Sequence, residues 1–281
     1  MQLEFRAPSA ALSPYVSTFY HYTCEDEVVE GVDRADVGQI RFMLKGSGTL
    51  KFPGGYSEPS TPIMINGPGN GAATYRVEGP FHCFGAALRP VGWCSLIGIP
   101  ANQRADHVTD GGQIFGPEAL ALLEELRSLT DIDTMTSAVE AFLLARLSPI
   151  SPEHHQMADT VRAWLAGGAE DVSSLFEALP WSARHVARLV NQYFGSSPKK
   201  LVRKFRALRA ATALIEGADP SEVAGQFYDQ PHMIREIRHF TGHTPGTLAS
   251  AMDPVLAVTL QPGFYHELDA PAGGGSGPRL K

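Results

Sequence analysis

The chain has little cysteine, a modest share of charge and no long apolar run. Its three cysteines, Cys24, Cys83 and Cys94, are an odd set without C-x-x-C spacing. That excludes a disulfide framework and fits a reducing compartment, each thiol being read as a small buried residue. No run of about 18 apolar residues occurs, so no membrane span is expected. Met1–Ala11 carries Glu4 and Arg6 and lacks an apolar core run, so it does not read as a signal peptide, and a cytoplasmic location is expected. No Gly-rich phosphate loop and no Ser/His/Asp signature is found. His21 and His82 fall in candidate strands, but neither belongs to an H-x-H pair, so no catalytic metal site, cofactor or enzymatic activity is expected.

The most telling absence is of acid. The whole chain has a net charge of −7, yet Trp181–Arg209 holds eight basic residues and no acidic one. Residues 1–151 carry 10 Lys/Arg against 17 Asp/Glu, and residues 152–252 carry 11 against 10. A basic run in the C-terminal half reads as a phosphate-binding footprint, which the acidic N-terminal half would confine to one end.

The same stretch contains one unit twice. At an offset of 47 residues, Val186 falls on Met233, Arg188 on Arg235, Val190 on Ile237 and Tyr193 on Phe240. Gly195 falls on Gly242, Ser197-Pro198 on Thr244-Pro245, and the possible caps Ser182 and Asp229 coincide, as do Trp181 and Tyr228 before them. Apolar, cap and glycine positions matching together indicate a repeated supersecondary unit. Each copy reads as helix, turn, helix, stop. Val172–Leu179 and Ser221–Gln226 are the first helices, and Ala183–Phe194 and about 230–241 the second, ended by Gly195 and Gly242. Between them Pro198–Glu216 reads as one long helix capped by Ser197, roughly 28 Å at about 1.5 Å per residue. That length can hold two helix-turn-helix heads about one DNA turn apart.

These residues resemble the DNA-binding domain of the AraC/XylS (arabinose-regulator) family. Ser182-x-Arg184, Arg188, Gly195-x-Ser197-Pro198-Lys199, Arg203, Arg206 and Ala210 look like its first half. Phe227-x-Asp229-Gln230-x-His232, Ile234-Arg235, Arg238, Phe240, Gly242 and Thr244-Pro245 look like its second. The chain departs from the family at Phe176 and Val223, where a small residue is usual, and at Pro180 and Gln226, which replace turn glycines. The resemblance implies a sequence-specific DNA-binding transcription regulator. On the exposed first turns of the two recognition helices, Arg184, Ala187, Arg188, Gln230, Pro231 and Arg235 are the expected base readers. Ser182, Lys199, Lys200 and Arg203 are the expected phosphate contacts.

Upstream, residues 1–115 are rich in Gly, Pro and β-branched or aromatic residues. Strands are expected at Tyr15–Tyr22, Gly38–Leu44, Gly48–Phe52, Pro62–Asn66, Ala73–Val77 and His82–Leu88, with turns at Lys45-Gly46, Pro53-Gly54-Gly55, Gly67-Pro68-Gly69 and Glu78-Gly79-Pro80. This pattern suggests a β-barrel or jelly roll. Pro14-Tyr15-Val16, Gly67-Pro68 and Leu88-Arg89-Pro90 resemble the cupin-like sensor domains that precede the AraC-type module. Phe42, Phe84, Arg41 and Arg89 are pocket candidates by strand position, the two arginines being better read as surface ion pairs. Pro117–Ser128, with Leu120, Leu123 and Leu126 on one side, and Met135–Leu147, with Val139, Phe142, Leu143 and Leu147, read as amphipathic helices that close the barrel or dimerise. Ser148–Gln156 reads as the linker, with His154-His155 as polar filler.

The expected fold is therefore α+β: an N-terminal β-barrel or jelly-roll-like domain (1–150) with two closing helices, an all-α double helix-turn-helix domain (151–252), and a mostly disordered tail (253–281). The expected partners are double-stranded DNA, a small-molecule effector and RNA polymerase, with the chain a monomer or homodimer. Two alternatives stand beside this reading: a cupin-type enzyme localised by its helix-turn-helix domain, and a helix-turn-helix module that binds protein.

Overall fold

The computed structural model describes residues 1–168, 171–250, 254–260, 267–269 and 276–280. The N-terminal domain is built on one antiparallel sheet, from β1 (Gln2–Arg6), β2 (Val16–Cys24), β3 (Val28–Asp33), β4 (Gln39–Lys51), β5 (Ser57–Pro59), β6 (Ile63–Asn66) and β7 (Ala73–Leu88). After α1 (Pro90–Ile97) the short β8 (Val108–Asp110) adds to the β6 edge. Strand β7 is the spine. Its second half pairs β2 and the start of β4, and its first half pairs β3 and the end of β4.

The two pairs of strands expected at 38–52 and 73–88 are two continuous strands instead of four. The turn signals at Lys45-Gly46 and Glu78-Gly79-Pro80 lie opposite each other in the β4–β7 ladder, between the pairs Lys45↔His82 and Ser47↔Glu78. They make one shared irregularity, and the ladder resumes on both sides.

Side chains alternate across the sheet. One face, with Phe19, Ile40, Phe42, Phe84 and Ala86, is covered by α3 (Pro117–Ser128) and α4 (Ile132–Leu144), which follow α2 (Gly111–Phe115). The buried stripe of α3 is Ala119, Leu122, Leu123 and Leu126; Leu120, expected on it, is 45% exposed. Val139, Phe142 and Leu143 of α4 are buried on the same cluster, with Leu147 packed beside them, so the pair closes the sheet. The other face, with Leu3, Phe5, Tyr20, Tyr22, Met43 and Cys83, surrounds a cavity.

The C-terminal domain begins earlier than the expected linker allows. Ser151 caps α5 (Pro152–Ala166), with Pro152 in its first turn, where a missing N–H costs nothing. His154 and His155 are thus helical. His154 Nδ1 lies 2.8 Å from the Tyr193 hydroxyl, and His155 meets the Tyr15 ring edge-on. Then come α6 (Val172–Glu177), α7 (Ala183–Phe194), α8 (Pro198–Ile215), α9 (Pro220–Ala224), α10 (Gln230–Thr241) and α11 (Pro245–Ser250). Phe176, Pro180, Val223 and Gln226 do not prevent either helix-turn-helix from forming: Val223 is buried and Phe176 packs against the common core.

The tail corrects an expectation. Pro254–Thr259 forms α12, because Leu256, Val258 and Leu260 find apolar surface to bury. Ser276–Leu280 forms β9, antiparallel to the otherwise open edge of β1. Leu260 and residues 267–269 are also described, and the rest of the expected disordered segment lies outside the described residues. Among the described residues no helix is long and apolar enough to cross a membrane.

Candidate nucleic-acid interface

The two recognition helices, α7 and α10, are built alike. The Ser182 side chain accepts from His185 N at 3.4 Å, and Asp229 Oδ1 accepts from His232 N at 2.6 Å. Each cap contributes about 1 kcal/mol. Gly195 and Gly242 end the helices at φ 75° and 79°, a left-handed conformation that costs a glycine nothing. Val186, Leu189, Val190 and Tyr193 bury one face of α7; Met233, Ile237 and Phe240 bury the matching face of α10. Such burial is worth roughly 1.5–3 kcal/mol per large side chain.

The opposite faces are open. Arg184 and Arg188 are exposed and Ala187 half-buried on α7, while Gln230, Pro231 and Arg235 are exposed on α10. The structure thus brings the six expected base readers onto the free N-terminal faces of two helices joined by the 18 residues of α8, about 27 Å long. Tyr228 was not singled out as a reader. It stands one residue before the α10 cap and is 92% exposed. Its repeat partner Trp181 is half-buried against His154 and His185. The repeat showed that the two aromatics correspond, but held no sign that their exposure would differ.

The basic run divides. Ser182 and Lys199 are exposed, and Lys200 is half-buried, its pKa lowered by desolvation. Arg203, expected at phosphates, pairs bidentately with Glu236 of α10 at 2.7 and 2.8 Å. Burial raises the Glu236 pKa, but the hydrogen bonds and charge of Arg203, helped by His232 and His239, outweigh it and hold the carboxyl below its usual range. Arg206 lies over the Phe227 ring and Arg209 donates to the Leu165 carbonyl. Lys204 is buried and donates to the Asp36 carbonyl at 2.9 Å, with burial lowering its pKa. Half of the run therefore braces the fold.

The C-terminal ends of both recognition helices dock on the N-terminal domain. Ala35 N donates to the Phe240 carbonyl at 2.7 Å and Ala72 N to the His239 carbonyl at 2.8 Å. Asn70 meets both heads: its Oδ1 accepts from the Ser196 hydroxyl, and its carbonyl lies 2.9 Å from His239 Nε2. Sequence reasoning missed Asn70, since only its place in a Gly-rich loop marked it.

The cavity behind this joint, taken together with the open solvent space at its mouth, spans about 760 Å³. Leu3, Phe5, Tyr22, Met43, Tyr75 and Phe81 supply its apolar wall, and Asp33, Arg34, Asp36 and Arg41 its polar end. Arg41, read as a surface residue, is turned inward and pairs with Asp33 at 2.8 Å. Phe42 and Phe84 point to the helical face instead, because they occupy the other strand parity. Arg89 is buried and donates to the carbonyls of Ser13 and Asp269, away from this cavity. Burial lifts the Cys83 thiol to about 12, so it is held protonated on the cavity wall.

Residues 175–251 match a family described as a helix-turn-helix domain. With the doubled unit and its two exposed recognition faces, this decides the assignment. Through residues 175–251 the chain is a helix-turn-helix protein. It is accordingly a DNA-binding protein of transcription regulation. Residues 4–110 match a family described as a domain of unknown function (DUF6597). No curated protein matches the chain. Among solved structures, ToxT from Vibrio cholerae is similar at 7% identity and TM-score 0.48, covering 82% of this chain and 97% of that one. Unsaturated fatty acid bound ToxT from Vibrio cholerae strain SCE256 gives 11% and 0.46, over 88% and 95%. The AraC-like transcriptional activator CuxR gives 12% and 0.32, over 69% and 76%.

Proposed function

We propose that this chain binds a specific duplex through both heads in successive major grooves, and that a small molecule in the N-terminal cavity controls that binding. The reading rests on one observation: two capped helices present their N-terminal turns on one body, held a fixed distance apart by α8. Arg184 and Arg188 read guanine through two hydrogen bonds each, and Arg235 does the same in the second head. Gln230 reads adenine, while Ala187 and Pro231 offer apolar contact to thymine methyl groups. Lys199 and Ser182 contact phosphate beside the first head, with Lys200 behind them. Tyr228 joins the contact at the second head, where its hydroxyl reaches a phosphate. Two heads in one chain need no dimer for specificity. A regulator of this kind works in the cytoplasm, beside its DNA.

Selection of the full chain against random duplex DNA, followed by footprinting, tests the reading. Two protected major-groove segments about one turn apart are expected. Salt-sensitive binding without an enriched motif would defeat it.

Effector control requires that the small molecule bind the DNA-competent arrangement with a different affinity from the other. The cavity supports it because its polar end adjoins the joint between domains: Asp36 lines the cavity, and its carbonyl holds Lys204 of α8.

A further inference from the structure

Val255–Leu260 is an apolar stretch to which the sequence assigns no role. In the fold its two sides belong to different places. Val255 and Thr259, four residues apart and so on one side of α12, line the cavity. Val258 is buried in the cluster that also contains Leu3, Phe5 and Tyr20. Leu256 and Leu260, again four apart, are buried in the core beneath the two heads, together with Leu208 and Val223. The Leu260 carbonyl accepts from Thr212 Oγ1 of α8 at 2.8 Å. Further on, Glu267 pairs with Arg34 of the cavity wall at 3.0 Å. The chain beyond the second head thus returns between the cavity and the helices that carry the heads.

The charges on the cavity wall are already matched. Arg41 faces Asp33, and Arg34 lies between Asp36 at 3.4 Å and Glu267. Among the described residues a ligand bringing a net charge would lose its hydration without gaining a free counter-charge, a cost that an uncharged molecule avoids. The remaining wall is mostly aromatic and aliphatic.

Resting on the reading of this cavity as an effector site, we propose that the effector is a small, uncharged, apolar molecule and that α12 senses it. Contact with Val255 and Thr259 shifts α12, and with it Leu256 and Leu260 in the core under the heads. Neither side of α12 can move alone, because a six-residue helix packed on two surfaces moves as one piece.

The test uses the full chain and two probes with the same rings, neutral N-phenyl-1-naphthylamine and anionic 1-anilinonaphthalene-8-sulfonate. The neutral probe should bind at least tenfold more tightly. Thr259→Trp, which puts an indole into the cavity from α12, should lose that binding while keeping the wild-type melting profile. Saturating neutral probe should change affinity for the selected duplex about fivefold or more, and the duplex should change probe affinity by the same factor. Leu256→Val, a mild change on the other side of α12, should bind the probe as wild type but shift duplex affinity less than twofold. Tighter binding of the sulfonate overturns the neutral effector. Probe binding without a shift, or an undiminished shift in Leu256→Val, overturns the α12 route. Loss of duplex selectivity in the unliganded chain defeats the regulator reading itself, and the probe and Thr259→Trp arm, which needs no DNA, tells the two failures apart.

Discussion

Arg188→Ala separates base reading from simple attraction to phosphate. Arg188 is exposed on the free face of α7, and its hydrogen bond to Gln192, Nη1 to Oε1 at 3.4 Å, is a long one. Alanine is a better helix former, so stability should change by no more than about 0.5 kcal/mol. A bidentate arginine–guanine pair discriminates by about 1–3 kcal/mol, and 1.4 kcal/mol is tenfold. Affinity for the selected duplex should therefore fall roughly 5- to 150-fold, and the preference at one base position should relax. Fluorescence anisotropy on the selected duplex and on its single-base variants, at two salt concentrations, reads both effects. A phosphate contact would behave otherwise. It would weaken all duplexes alike and reduce the salt slope by about 0.9. That uniform loss would refute the base-reading argument for α7, and unchanged affinity would remove Arg188 from the interface.

Tyr228→Ala should leave the melting temperature unchanged and weaken the selected duplex roughly five- to tenfold, about one hydrogen bond's worth; a matching loss in Trp181→Ala with intact folding would mean that exposure was the wrong criterion. Glu236→Gln should destabilise the C-terminal domain at neutral pH by about 1–2 kcal/mol, less than a fully buried pair because the Arg203 side chain is 41% exposed and screened. Since the folded Glu236 pKa is lowered, its contribution is complete above the unfolded value of about 4.3 and lost as pH falls through the folded one. The stability gap between wild type and Glu236→Gln should thus close on acidification, and a constant gap from pH 7 to 3 would refute the linkage.

The double head was legible because its signals are local. Caps, apolar spacing and the stopping glycines repeat at one offset, and each is satisfied within its own helix. The direction of the basic residues was not legible. Lys204 and Arg203 sit in the same acid-free run as Lys199, but their partners, the Asp36 carbonyl and Glu236, are distant in sequence, and only the fold joins them. Strand parity failed for a related reason. Arg41 and Phe42 are neighbours, so one must face the cavity and the other the helices, and strand position alone did not say which. The two turns misread inside β4 and β7 are local signals overruled by a ladder that pairs them with each other.

The spacing of the heads is fixed by more than α8. A single helix of this length leaves each head free to rock about its turn, but Arg203 ties α8 to α10, and Asn70 ties the end of α7 to α10 through Ser196 and His239. A body braced on three sides should tolerate little change in its target. One extra base pair between the two half-sites moves the second groove by about 3.4 Å along the axis and turns it by about 35°. The wild-type chain should lose most of its specific affinity on such a duplex, binding through one head only. Asn70→Ala keeps the caps, the recognition faces and the Arg203–Glu236 pair, so it should bind the selected duplex nearly as well while discriminating less against the lengthened one. If both chains discriminate alike in parallel titrations, the remaining contacts suffice to set the spacing, and the Asn70 side chain takes no part in holding the heads.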